Sequence, residues 1–342
     1  MDVTCRDGSY AVNFQLSAAD EKHICGGLES LGYRYAEIGH GMGLGASRAG
    51  KGAALQTDEE YLTCAREYLK KIRYGVFCIP NIARTDDIEM AADYGCSFIR
   101  VGCNVEDIDR TEPYLKEAKK RGLTVMANYM KSYASTEEEF AEAVKKSECW
   151  GADLIYIVDS AGSMVPADLD RYYEVIRKNS LLKVGFHGHD NIGMALANSL
   201  HAVELGADFI DCSLQGLGRS AGNTSLENFT ICLNKLGYET GIDEIALLLF
   251  SKKYVFPLLK RKGIDPVDAQ CGISGFHSSY LQDIHKVSSE FEVNPLLLIR
   301  EYSKIDRVGM DTVRLRRIAS ALPKDTESGS LVDFMNYCGG EQ

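Results

Sequence analysis

A chain of 342 residues, 45% apolar and 25% charged, has the length and balance of one large α/β barrel with an appendage, or of two ordinary folded domains. Its net charge of −11 argues against a nucleic-acid partner, and its longest apolar runs, such as Ile245–Phe250 and Pro295–Ile299, are too short to span a bilayer. The eleven cysteines follow no metal-ligand or disulfide-framework spacing, and no basic stretch precedes an apolar run at Met1–Thr4, so the expected location is a reducing cytoplasm.

Short β-branched and aromatic runs recur along the chain, each followed by a charged stretch with helical periodicity. Strands are predicted at Asp2–Cys5, Tyr35–Gly39, Tyr74–Cys78, Phe98–Val101, Thr124–Asn128, Leu154–Val158, Lys183–His187 and Phe209–Cys212. Between them, stretches such as Glu112–Arg121 and Thr136–Cys149 have amphipathic spacing, and Gly95, Gly122, Gly151 and Gly206 punctuate helix ends. Eight strands repeating at about 30 residues favour a (β/α)8 TIM barrel over a doubly wound sheet. Beyond about residue 240 the strand signal stops. The first helix there closes the barrel, and the rest, separated by turns at Gly263, Gly272, Gly275 and Gly309, forms a helical C-terminal appendage. The expected division is a catalytic barrel over 1–255, a helical domain over 256–323 and a polar, frayed tail over 324–342.

In such a barrel the functional groups leave the C-terminal ends of the strands. The exits here carry Arg6 and Asp7, then Glu37 and His40, then Asn128, Asp159 and Ser160, and finally His187-Gly188-His189. Two histidines at i and i+2 on an extended segment project to one side, and Gly188 removes a side chain that would crowd the opposite wall. Asp7, leaving the strand that closes the ring, can supply a third ligand. Two imidazoles and a carboxylate with open positions suit Mn²⁺, Mg²⁺, Zn²⁺ or Fe²⁺, with Mn²⁺ or Mg²⁺ expected. The bland alternative is a pair of histidines satisfied by hydrogen bonds at a loop. Arg6 beside that centre can stabilise developing oxyanion charge, or can form a structural salt bridge. Asp159 can touch the site or orient a ligand histidine. Glu37, His40, Asn128 and Ser160 are candidate substrate contacts.

Two glycine-rich stretches mimic nucleotide motifs. Gly45–Lys51 has phosphate-loop spacing, but Gly52 stands where a magnesium-binding Ser or Thr is needed. Gly41, Gly43 and Ala46 follow a strand without the later acidic strand end of a dinucleotide site. Both read as one mobile loop over the barrel mouth.

The segments Asp2-Val3-Thr4-Cys5-Arg6-Asp7-Gly8-Ser9, Val158-Asp159-Ser160-Ala161-Gly162, His187-Gly188-His189 and Gly216-Leu217-Gly218-Arg219-Ser220-Ala221-Gly222-Asn223 together resemble the aldolase branch of the pyruvate-carboxylase and HMG-CoA-lyase-like metal barrels, 4-hydroxy-2-oxovalerate aldolases among them. The resemblance runs from residue 2 to about 320. It implies Asp7, His187 and His189 as metal ligands, Asn223 as a possible fourth, and Arg6 as the enolate-stabilising arginine. The implied reaction is metal-dependent cleavage or formation of a 4-hydroxy-2-oxo acid, giving pyruvate enolate and an aldehyde. It also implies a homodimer and an acylating aldehyde dehydrogenase partner docked on the helical appendage.

One departure stands out. The aldolase pattern has a histidine base after Gly-Ser and a tyrosine in the appendage, whereas this chain has Tyr10 and His277. The two are exchanged, so His277 is expected as the base, since imidazole near pKa 6.5 suits the task and a phenol near 10 does not. The competing readings are a Claisen-type condensing enzyme joining an acyl-CoA to a 2-oxo acid, and a non-catalytic barrel scaffold. Condensing enzymes carry Arg-Asp-Gly-Glu where this chain has Arg6-Asp7-Gly8-Ser9, which favours the aldolase.

Overall fold

The computed structural model describes residues 1–259, 266–325 and 334. Seven parallel strands form one sheet in sequential order: β1 (Tyr35–Ile38), β2 (Arg73–Cys78), β3 (Phe98–Asn104), β4 (Thr124–Met130), β5 (Leu154–Asp159), β6 (Lys183–Gly188) and β7 (Phe209–Ile210). Each starts or ends within three residues of its expected position. The predicted strand at Asp2–Cys5 is the exception, because it shrinks to a single bridging residue. Asp2 pairs with Ala36 on one side and Cys212 on the other, which closes the sheet into a ring. The seam consists of Asp2 N–H to Tyr35 O (3.0 Å), Glu37 N–H to Asp2 O (2.9 Å), Val3 N–H to Cys212 O (2.9 Å) and Cys212 N–H to Met1 O (3.0 Å). Extension stops at Thr4 because the Asp2 carboxylate captures its N–H (3.0 Å) and hydroxyl (2.7 Å), a side-chain turn that competes with the ladder. A 3-10 helix, Asp7–Val12, follows.

Among the described residues nine helices pack around the ring: α1 (Ala18–Leu31), α2 (Asp58–Tyr68), α3 (Thr85–Asp93), α4 (Glu112–Lys120), α5 (Glu137–Cys149), α6 (Pro166–Asn179), α7 (Ala195–Glu204), α8 (Leu226–Lys235) and α9 (Glu244–Tyr254). Gly95, Gly122, Gly151 and Gly206 lie at positive φ where a helix gives way to the next strand, as the sequence indicates. α9 closes the helical layer against α1: a Cβ on Gly27 would lie 2.1 Å from the Phe250 ring. The outer core between sheet and helices is mostly aliphatic, with Tyr129, Phe140, Tyr173 and Phe186 buried in it. The barrel floor holds Phe98, Met126, Leu154 and Tyr156.

α10 (Pro266–Ser274), α11 (Leu281–Phe291), α12 (Pro295–Ser303) and α13 (Thr312–Ala321) share a second apolar cluster around Phe276, Leu281, Leu298, Tyr302 and Leu315. Gly272 does not make a turn. It lies inside α10, where a Cβ would come within 2.6 Å of Ile192, so the glycine serves a close approach of helix to barrel. Gly275, at φ 60°, ends that helix. The expected turn at Gly263 and most of the 324–342 tail lie outside the described residues. The first residues of that tail are tied down: Lys324 bridges Val293, and Asp325 N–H donates to Glu292 O (2.7 Å). The stretch read as one mobile loop is buried over 41–46. It is pinned by Leu44 N–H to Phe77 O (2.9 Å), Gly45 N–H to Asp58 (2.7 Å) and the Arg48–Asp87 ion pair.

Candidate metal centre and active site

Alternation along the strands turns Phe98, Arg100 and Gly102 of β3 inward, with Asn128 of β4, Val158 of β5 and His187 of β6. Of these, Arg100, Asn128, Val158 and His187 line a cavity of about 390 Å³ at the C-terminal mouth, counting its opening, together with Arg6, Asp7, Tyr10, Ser160, His189, Arg219 and His277. Most of these side chains are buried, so the polar groups are arranged by the protein and not by solvent.

Ligand atoms of Asp7, His187 and His189 lie within 4.8 Å of one another. The imidazoles stand nearly perpendicular, centroids 5.0 Å apart at 86°. Gly188 between them is needed because a Cβ would lie 2.8 Å from the Phe186 ring. His187 Nδ1 meets the Asp211 carboxylate at 2.9 Å, and His189 Nδ1 meets Gly222 O at 3.2 Å. Both acceptors hold the proton on Nδ1 and leave each Nε2 lone pair available, the tautomer a metal requires. Asn223 donates its amide N–H to Asp7 Oδ2 (2.8 Å), while its own buried Oδ1 has no hydrogen-bond partner. An orphaned carbonyl oxygen beside a carboxylate and two oriented imidazoles fits a divalent cation. Burial pushes Asp7 up, but Arg6, His189 and His187 outweigh it and hold the carboxyl well below its usual range. Burial lowers His189 to about 4, partly opposed by Asp7, so the ring is neutral and able to ligate at neutral pH.

Beneath this cluster runs a line of buried charge, in which Arg6 and Glu37 were expected at strand exits and Arg100 and Asp211 were not. Arg6 donates to Asp7 (2.7 Å) and to Glu37 (2.6 Å), and Arg100 lies 3.4 Å from the other Glu37 oxygen, an ion pair without hydrogen-bond geometry. Arg100 then donates to Asp211 (2.6 Å), which orients His187. Two proposed ligands far apart in sequence are thus joined through four charged side chains. The available signal was Arg100 itself, an inward-phase charge in an otherwise apolar strand.

The expected substrate contacts divide. Asn128 and Ser160 line the cavity, and the buried Asn128 Oδ1 has no hydrogen-bond partner. Glu37, Asp159 and His40 are not among its lining residues. Glu37 pairs with the two arginines. The Asp159 carboxylate accepts the backbone N–H groups of Ser163 and Met164 (2.9 Å each), burial pushes it up to about 6, and its backbone oxygen accepts the N–H of His189 (3.3 Å). His40 accepts Met42 N–H (3.0 Å), faces Gly52 O (3.1 Å) and stacks on Phe14, which commits it to shaping the 41–52 loop.

Tyr10 and His277 do line one cavity, with Arg219 between them. The Arg219 guanidinium carbon stands 5.0 Å over the Tyr10 ring, and its Nη2 is 3.5 Å from His277 Nδ1. Arg219 also donates to Ser278 (2.9 Å). Burial, then the cations of Arg219 and Lys131, push His277 well below the usual imidazole value. Its Nδ1 lies 2.7 Å from the Ser279 hydroxyl, which can accept the Nδ1 proton in the tautomer whose lone pair is on Nε2.

A closed parallel barrel with two imidazoles and a carboxylate converging at its C-terminal mouth defines a metal-centred (β/α)8 enzyme class. Within that class the chain belongs to the HMGL-like family, whose profile matches residues 1–255. It is 34% identical to a 4-hydroxy-2-oxovalerate aldolase of Carboxydothermus hydrogenoformans over 95% of this chain and 97% of that one. It is also 35% identical to an oxaloacetate decarboxylase of Mycobacterium tuberculosis, over 89% of this chain and 90% of that one. The HMG-CoA lyase of Brucella melitensis superposes with a TM-score of 0.66 at 21% identity, over 76% of this chain and 98% of that one, a likeness of fold.

Proposed function

We propose that this chain is a divalent-metal-dependent class II aldolase, a carbon–carbon lyase that cleaves or forms a 4-hydroxy-2-oxo acid by way of pyruvate enolate and an aldehyde. The observation that carries the reading is the Asp7, His187 and His189 cluster, with the orphaned Asn223 oxygen beside it, in a cavity that also contains Arg6 and a neutral His277. Mn²⁺ or Mg²⁺ is the proposed ion, held by those three side chains with Asn223 as fourth ligand. A divalent ion there supplies Lewis-acid polarisation of the 2-oxo group. Arg6 adds a fixed positive charge where the enolate develops. His277 takes the 4-hydroxyl proton as the C3–C4 bond breaks, and Tyr10, Asn128 and Ser160 border the substrate.

Decarboxylation of oxaloacetate would need the same enolate half-reaction but no base, since carbon dioxide leaves without surrendering a proton. A buried neutral imidazole on the cavity wall therefore favours the aldol reaction. Residues 1–255 would carry the metal chemistry and 256–323 its roof. A homodimer and an acylating aldehyde dehydrogenase partner extend the reading, with the exposed apolar side chains Ile245 and Leu249 of α9 and Ile273 of α10 as support. A cytoplasmic setting agrees with the free thiols of the described cysteines.

The test is hydrogen–deuterium exchange of the pyruvate methyl group, followed by NMR with Mn²⁺-loaded enzyme against EDTA-treated and His189→Ala controls. Exchange that depends on metal and is lost in the variant is the expected result. No exchange by enzyme shown to hold the metal would overturn the pyruvate-enolate assignment.

A further inference from the structure

His277 reaches the cavity from the helical region, which has its own apolar core, so something must hold that region in register with the barrel rim. Two docking points flank the segment carrying it. On one side Asn191, just beyond β6, donates to Asp268 O of α10 (2.9 Å), and Gly272 packs against Ile192. On the other side stands Lys131, the residue directly after β4.

Lys131 is 5% exposed, and its ammonium donates to the Tyr280 hydroxyl (2.8 Å) and to Val308 O (2.8 Å), both in the helical region. The Tyr280 hydroxyl also donates to Val308 O, so the three groups form a closed triangle across the junction. The backbone of Lys131 is left-handed, φ 56° and ψ 37°, a conformation unfavourable for a residue with a side chain. Its N–H is fixed by the Ser160 hydroxyl at 2.9 Å. That turn swings the side chain off the strand direction and toward the helices. A long cation buried in a strained turn, with its partners in a different core, is costly unless the link it makes is used.

We propose that Lys131 is a positioning residue: it anchors the segment 277–280 over the barrel mouth and so sets where His277 stands relative to the metal ligands. The catalytic part of this inference rests on the aldolase reading; the anchoring part does not. Lys131→Met removes the link but leaves Tyr280 and Val308 bonded to each other, so no carbonyl is orphaned.

The experiment uses the full Mn²⁺-loaded chain. Amide hydrogen exchange, read by mass spectrometry, should quicken by about tenfold or more in peptides covering 275–284 and 305–310 of Lys131→Met, with peptides from β5 and β6 unchanged. Aldol cleavage should fall by about tenfold or more in kcat, while metal-dependent exchange of the pyruvate methyl group, in which the methyl proton passes to solvent water and not to His277, stays near wild type. Tyr280→Phe, which removes one acceptor, should show the same pattern more weakly and serves if the lysine variant does not fold. Unchanged amide exchange in both variants would overturn the anchor. Loosened amides with the same proportional loss in cleavage and methyl exchange would overturn its role in placing His277. Loosened amides with no methyl exchange even in wild type would leave the anchor standing and sink the aldolase reading instead.

Discussion

His277 and Tyr10 occupy one cavity, but only one of them is suited to move a proton at neutral pH. His277 stays neutral because burial and two nearby cations disfavour the imidazolium. The Ser279 hydroxyl at 2.7 Å from Nδ1 lets that nitrogen donate, the tautomer in which Nε2 carries the lone pair. Opposing it are the Ser279 N–H at 3.3 Å and Arg219 at 3.5 Å, both long. His277→Ala is therefore expected to lower kcat for cleavage by roughly 10² to 10⁴, the usual worth of a general base, and Tyr10→Phe by about tenfold or less. Steady-state kinetics on both variants decides it, and equal or reversed losses would mean the exchange of residue types did not carry the base with it. Because the folded His277 sits below its unfolded value, the base stays unprotonated as pH falls through 6.5. The acid limb of the rate profile should accordingly lie well below the ordinary imidazole value.

At the scale of elements, α1 and β1 are joined through a buried acid. Glu21 on α1 accepts the N–H of Gly39 at 2.9 Å, at the exit of β1, and burial pushes it up to about 8. An acid raised on folding binds a proton in the native state that the unfolded chain has already lost. Stability is thus fully present below the unfolded value near 4.5 and declines as pH rises toward 8. Glu21→Gln keeps an oxygen for Gly39 and removes the titration. Denaturant unfolding should show the variant gaining on wild type between pH 5 and pH 8, by on the order of 3 kcal/mol at the upper end. Parallel stability curves would contradict the account. Elements were also where the sequence was most legible. Periodicity marked seven strands because both faces of a barrel strand are buried, so apolar runs persist along them. It overstated the first, since the capture of Thr4 by Asp2 is a side-chain event that no periodicity records. The Asp7, His187 and His189 cluster was legible because two of its members are near neighbours in sequence and the third stands at another strand exit. The side chains of Asp159 and His40 turn to the backbone of their own loops, as a polar residue at a strand exit can do without any trace in the sequence. Lys131, Asp211 and Ser279 act through partners 24 to 177 positions away or through a tautomer, and neither is visible without coordinates.

For the whole molecule, the ring closes at its thinnest place. Asp2 alone bridges β1 to the end of β7, and the same seam is crossed again by Asp7, which accepts from Asn223 at 2.8 Å and from Arg219 N–H at 3.2 Å. An ion held by Asp7, His187 and His189 would add a third crossing, tying the start of the chain to β6. Metal binding should therefore stabilise the fold as well as activate it. Mn²⁺ at a hundredfold excess over its dissociation constant should raise stability by about 2.7 kcal/mol, and the unfolding temperature by about 5 °C. EDTA should reverse both. Asp211→Asn replaces the carboxylate that holds His187 in its ligating tautomer, so its Mn²⁺ affinity should weaken by about 10- to 100-fold, shifting the stabilisation to correspondingly higher metal concentration. Calorimetric titration beside thermal unfolding separates the two effects. A variant that binds Mn²⁺ as tightly as wild type would mean the line of charge from Arg6 to Asp211 steadies the barrel without tuning its centre. An unfolding temperature indifferent to Mn²⁺ in the wild type would remove the ion from the seam altogether.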